Sequence, residues 1–171
     1  DSWIIYVPFD SCDFRLGGSL LCDAIGQNGD NFPEIGDADY FIDCYEVIRE
    51  FVEDKVAISA VTVSDGGLLT ALKLMCSGDV GADIDISGIK SAYGEDQNVR
   101  ILFSEIPGAI IQIKDSDYDY VDAELLLQDI AYYPIGHPAT GGGEVKVMAG
   151  GSGIANILQS LLSSQASEGE D

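Results

Sequence analysis

The hydrophobic pattern changes period most abruptly between Val56 and Leu72. From Val56 to Val63 the residues are apolar and largely β-branched, as a buried strand requires, whereas Leu68, Leu69, Leu72, Met75 and Cys76 recur at helical spacing. Ser64-Asp65-Gly66-Gly67 is therefore read as a strand-to-helix turn. Such a turn presents backbone N–H groups and the positive end of a helix dipole, and paired glycines let a bulky anion approach the main chain. A purely structural use of the same residues has Ser64 or Asp65 capping the helix and the glycines making the bend.

The same reading extends along the chain. Trp3 to Phe9 is aromatic and β-branched, a strand whose Pro8 belongs at an edge or an end. After a polar loop, Gly17-Gly18-Ser19 opens a short helical stretch through Ile25, and a second polar loop runs from Gly26 to Gly36. Asp37 or Asp39 caps a helix to about Asp54, with Phe41, Tyr45, Ile48 and Val52 as its apolar stripe. The helix after the turn is ended by Gly78, and Gly81 to Ile86 alternates as a half-exposed strand with Asp83 and Asp85 toward water. Ser87 to Asn98 reads as irregular, Val99 to Ser104 as a helical turn, and Gly108 to Ile113 as a strand. Asp115 to Glu124 mimics a calcium loop, but Tyr120 stands where that loop needs glycine and Leu126 where it needs glutamate. It is read as an acidic first turn of a helix to about Asp129, with Tyr118, Val121 and Leu125 inward. Tyr132–Ile135 and Glu144–Met148 are short strands split by His137-Pro138 and by Gly141 to Gly143, and neither glycine run carries the lysine of a Walker loop. Ile154, Ile157, Leu158, Leu161 and Leu162 predict an amphipathic helix, and 163–171 a disordered acidic tail.

Composition narrows the function. The 171 residues suit one domain, 1–162, with a sizeable core. Thirty acidic against eight basic residues give a net charge of −22, which repels nucleic acid and anionic membrane surfaces, and no stretch has the length of a membrane span. Cys12, Cys22, Cys44 and Cys76 lack metal-binding spacing, so free thiols in the cytoplasm are expected, with Cys44 and Cys76 as core residues. His137 is alone beside proline, without a nucleophile motif, and is read as a packing or capping residue. The chain opens at Asp1 with no methionine, directly before a strand, as a piece of a longer polypeptide would.

Three segments, Arg15-Leu16-Gly17-Gly18-Ser19-Leu20, Val63 to Leu69, and Leu102 to Ile113, together resemble phosphoribosylformylglycinamidine synthase in order and spacing. The resemblance is to the C-terminal half-domain of the synthetase unit, in the aminoimidazole ribonucleotide synthetase superfamily, and spans about Trp3 to Leu162. It implies an α+β fold with a mixed, partly ferredoxin-like sheet, crossover connections, and helices near 39–54, 67–77 and 117–129 packed on it. It also implies an ATP-dependent ligase of purine biosynthesis that converts formylglycinamide ribonucleotide and glutamine-derived ammonia to formylglycinamidine ribonucleotide. The implied cofactors are ATP or ADP and magnesium, held mainly by an N-terminal half-domain that is a partner, with a glutaminase domain, in the same polypeptide. Ser64, Asp65, Gly66 and Gly67 match the family's nucleotide contacts. Where the family places a magnesium-binding Asp, this chain has Thr62, and a hydroxyl is a poor substitute for a carboxylate on a hard cation. That departure leaves a second reading, a non-catalytic scaffold or regulatory module of the same fold.

Overall fold

The structure is a computed structural model that describes residues 1–10, 13–28, 31–149 and 152–153. In chain order the elements are β1 (Ser2–Pro8), α1 (Leu20–Ile25), α2 (Ala38–Glu53), β2 (Ala57–Val63), α3 (Gly67–Met75), β3 (Val80–Asp85), α4 (Ser87–Tyr93), α5 (Asn98–Phe103), β4 (Gly108–Lys114), α6 (Tyr118–Leu127), β5 (Tyr133–Thr140), β6 (Val145–Ala149) and β7 (Ser152–Gly153).

The strands form one mixed sheet in the order β2-β4-β1-β5-β3-β6-β7. β4 runs antiparallel to both β1 and β2, so β1–α2–β2 is a split β-α-β unit, the ferredoxin-like part of the fold. β6 joins β3 in parallel, and among the described strands only β6 and β7 are sequence neighbours that pair. Crossover connections therefore dominate, as expected.

Strand alternation sends the two core clusters to opposite faces. Ile4 and Tyr6 of β1 pack with Leu68, Leu69 and Leu72 of α3, Ile89 of α4 and Ile101 and Leu102 of α5. Ile5 and Val7 pack on the other side with Cys44, Val47, Ile48 and Phe51 of α2 and Val121 and Leu125 of α6. The helices expected near 39–54, 67–77 and 117–129 thus all pack on the sheet.

Several expectations need correction. β2 is an edge strand in which Ile58, Ala60 and Thr62 are exposed, because its β-branched composition serves a one-sided sheet edge rather than a buried strand. The stripe of α2 is Cys44, Val47, Ile48 and Phe51, while Tyr45 and Val52 are 54% and 46% exposed. Of the two expected capping candidates the structure selects Asp37, which accepts from the Asp39 and Tyr40 amides at 3.1 and 3.0 Å. Within Ser87–Asn98 the chain forms α4, started by the Ser87 amide on Asp85 Oδ1 at 2.9 Å and anchored by one buried residue, Ile89, too few for a visible period. α3 ends at Met75, and Cys76 lies half-buried past its end rather than in the core.

β5 runs unbroken through His137-Pro138. Ala82 opposes Pro138 but gives its N–H to Glu144 O at 3.0 Å on the β6 side, so the pair is of the non-hydrogen-bonded kind and the proline forfeits no bond to β3. The expected 154–162 helix, the domain end at 162, the tail 163–171 and Cys12 lie outside the described residues.

Candidate nucleotide site

The turn after β2 is built as the glycines require. Gly66 and Gly67 have φ of 83° and 71°, a region L side chains rarely adopt. A Cβ on Gly67 would lie 2.7–2.8 Å from the main chain of Leu102 and Phe103, so only glycine lets α3 abut the last turn of α5. Thr70 Oγ1 donates to Gly66 O at 3.0 Å, and Gly67 N donates to Ser64 O at 2.9 Å.

That abutment delivers the segment following α5 to the turn. The Glu105 carboxylate accepts at Oε1 from Gly66 N at 2.8 Å and, at the same oxygen, from Leu20 N at 2.9 Å. Ser104 Oγ, buried, donates to Arg15 O at 2.6 Å, and Phe9 N donates to Pro107 O at 2.8 Å. The three segments noted in the sequence thus meet in one place, held by Ser104 and Glu105. The sequence pattern assigns neither of them a role. An acidic residue just after a helix was the only signal, since its partners lie 39 and 85 residues away.

Ser64 and Asp65 are exposed at the lip of the turn, and neither side chain caps α3; Gly66 is the capping residue and Glu105 supplies the acceptor. Two amides that the sequence offers to an anion, Gly66 N and Gly67 N, are spent inside the protein. Ser19 caps α1, its Oγ accepting from Cys22 N at 3.3 Å. Beside α1 lies a groove of about 570 Å³ lined by Gly18, Cys22, Asp23, Gln27, Asn28, Asn31 and Phe32, and it does not reach Ser64–Gly67.

Thr62 is exposed on β2, on the strand face opposite Val61 and Val63. Among the described residues no three His, Cys, Asp or Glu side chains converge as a metal site would need. His137 is exposed; its ring packs on Trp3 with centroids 4.0 Å apart, and Nδ1 donates to Ser2 O at 2.9 Å. Asp115 of the calcium-like run accepts from the Trp3 indole at 2.9 Å, and Asp122 accepts from the Tyr132 hydroxyl. The resolved acid–base shifts lie away from the turn: burial pushes the Cys44 thiol up to about 11 and the Tyr40 phenol up to about 12.

With helices on both faces of a mixed sheet and paired glycines opening α3, the chain belongs to the AIR synthase related protein, C-terminal domain family, matched over residues 11–149. One relative is "Probable phosphoribosylformylglycinamidine synthase, chloroplastic/mitochondrial" of Arabidopsis thaliana, 28% identical over 138 residues, which are 80% of this chain and 10% of the relative. T. maritima PurL complexed with FGAR shares the fold at TM-score 0.68 and 15% identity, covering 90% of this chain and 26% of that one. T. maritima PurL complexed with ATP does so at 0.64 and 15%, covering 89% and 24%. The chain thus spans about a tenth of the length of the Arabidopsis relative. No helix among the described residues is long and apolar enough to cross a membrane.

Proposed function

We propose that this chain is the C-terminal synthetase half-domain of a phosphoribosylformylglycinamidine synthase, working in the cytoplasm as part of an ATP-dependent ligase of purine biosynthesis. The observation that carries the reading is the convergence of its three family segments on Glu105 and Ser104. In this reading ATP or ADP approaches the lip of the turn, where the exposed Ser64 hydroxyl can donate to a phosphate or ribose oxygen. Gly66 and Gly67 shape the turn beneath the nucleotide, their Cβ-free sides packed on Thr70 and on Leu102 and Phe103, and Asp65 is an outer contact. The nucleotide fits in part, since Gly66 N and Gly67 N are already bonded. Magnesium does not fit the described residues alone, with Thr62 in place of the carboxylate and no cluster of three acidic, histidine or cysteine side chains among them, and no step is routed through it. The N-terminal half-domain of the same polypeptide supplies the metal ligands, and a glutaminase domain supplies ammonia.

The test uses the polypeptide that carries this chain. With ATP, formylglycinamide ribonucleotide and ammonia it releases phosphate, Ser64→Ala raises the KM for ATP about 3–10-fold, as loss of one hydrogen bond would, and the 171-residue chain alone releases none. Failure of the whole polypeptide to turn over sinks the reading. Thr62 and the committed amides favour the second reading, a non-catalytic scaffold or regulatory module, which the same failure would support.

A further inference from the structure

Two amide protons from different helices converge on one oxygen of Glu105. Leu20 N opens the six-residue α1 and Gly66 N caps α3, so two main-chain donors that their own helices leave unpaired are both met by the carboxylate. Here the anion is tethered to the protein two residues past α5, and Ser104 beside it is fixed by its own bond to Arg15 O at 2.6 Å. The carboxylate therefore cannot drift without breaking contact with both turns. Gly67 sits against the main chain of Leu102 and Phe103, the last two residues of α5, immediately before Ser104 and Glu105.

We infer that Glu105 is a positioning residue for the proposed nucleotide site: its carboxylate is a built-in anion that locks the Arg15–Leu20 and Val63–Leu69 segments into one rigid lip and reserves Leu20 N and Gly66 N from ligand phosphate. The inference rests on the nucleotide-site reading only for its consequence on ATP. The lock itself is independent of that reading. Nucleotide phosphates then meet the exposed Ser64 at the lip rather than the Leu20 and Gly66 amides. Removal of the carboxylate frees two segments whose donors, Leu20 N and Gly66 N, are far apart in sequence but share one acceptor.

The experiment uses the whole polypeptide carrying this chain, as Glu105→Ala and Glu105→Gln. Hydrogen exchange followed by mass spectrometry of peptides spanning 17–25 and 62–72 reads the lock. In Glu105→Ala both peptides exchange at least tenfold faster, acetate at tens of millimolar reverses part of the gain in both, and Glu105→Gln, whose amide oxygen still accepts, stays within about threefold of the parent. A gain in one peptide only, or in neither, overturns the lock, and so does a gain that acetate leaves untouched, because lost packing is not restored by a small anion. In the ligase assay Glu105→Ala raises the KM for ATP about tenfold with kcat within threefold, and Glu105→Gln recovers it. Tighter ATP binding by Glu105→Ala would make the carboxylate a competitor of phosphate and overturn its positioning role. If the exchange lock holds while neither Glu105→Ala nor Ser64→Ala alters the KM for ATP, the nucleotide site lies elsewhere and the positioning role falls with it.

Discussion

At Gly67 a missing methyl group decides whether α3 can meet α5. A Cβ there would press on backbone atoms that have no rotamer to escape into, and the left-handed φ of 71° adds strain of about 1–2 kcal/mol for any L side chain. Gly78 has a similar φ of 61° with nothing within 4 Å, so it isolates the strain from the clash. Gly67→Ala is expected to destabilise the chain by about 3 kcal/mol or more and Gly78→Ala by about 1 kcal/mol, read as the difference in urea midpoints. Equal losses would show that the approach to α5 is not what holds the glycine. Thr62 poses the complementary question, because it is exposed where the resemblance puts a metal-binding Asp. In the whole polypeptide Thr62→Asp should tighten ADP-magnesium binding by about 1–2 kcal/mol, roughly tenfold in Kd, if one charge-assisted contact is restored. Calorimetric titration of both proteins decides it: tight binding by the unaltered protein means that another carboxylate already serves the metal.

At the scale of elements, α2 shows both what a burial pattern yields and where it stops. Its length and an acidic cap at Asp37 or Asp39 are readable because an amphipathic run after acidic residues has one structural meaning, and the structure selects Asp37. Its buried face is not, since Phe41, Tyr45, Ile48 and Val52 form as good a stripe as Cys44, Val47, Ile48 and Phe51, and only the sheet chooses between them. The choice leaves Tyr40 half-buried, with its hydroxyl accepting from Ala131 N at 3.0 Å, and Cys44 fully buried. The turn after β2 was legible for the same reason as the cap, whereas the Glu105 clamp was not, because its partners come from two distant segments. α4 and the straight run of β5 were hidden by a single apolar anchor and by prolines whose harmlessness depends on pairing. Burial raises Cys44 from 9.0 to about 11 and Tyr40 from 10.0 to about 12. The unfolded chain therefore loses these protons at lower pH than the folded one, and stability present below pH 9 should fall between about pH 9 and 12. Tyr40→Phe should flatten the upper part of that fall, above about pH 10, in a pH series of melting temperatures. An unchanged slope would assign the alkaline loss to other groups.

For the whole molecule the governing fact is a formal net charge of −22. α2 alone carries Asp39, Asp43, Glu46, Glu50 and Glu53 against one Arg49, and the pair Arg49–Glu53 at 2.9 Å is exposed on both sides. Such a surface pair contributes at most about 1 kcal/mol, whereas like charges repel throughout the folded surface and can separate when the chain unfolds. Salt weakens both effects, because the screening length drops from about 10 Å at 0.1 M to about 3 Å at 1 M. Repulsions outnumber attractions here, so the balance is one-sided. Raising NaCl from about 0.05 M to about 1 M should raise the melting temperature by several degrees, on the order of 2–4 °C for each kcal/mol of repulsion relieved in a chain this long. Glu50→Lys, which places a cation four residues from both Glu46 and Asp54, should raise the melting temperature in low salt and shrink the increment. A melting temperature that stays flat or falls with salt, in parent and variant alike, would mean that the acidic surface does not strain the fold.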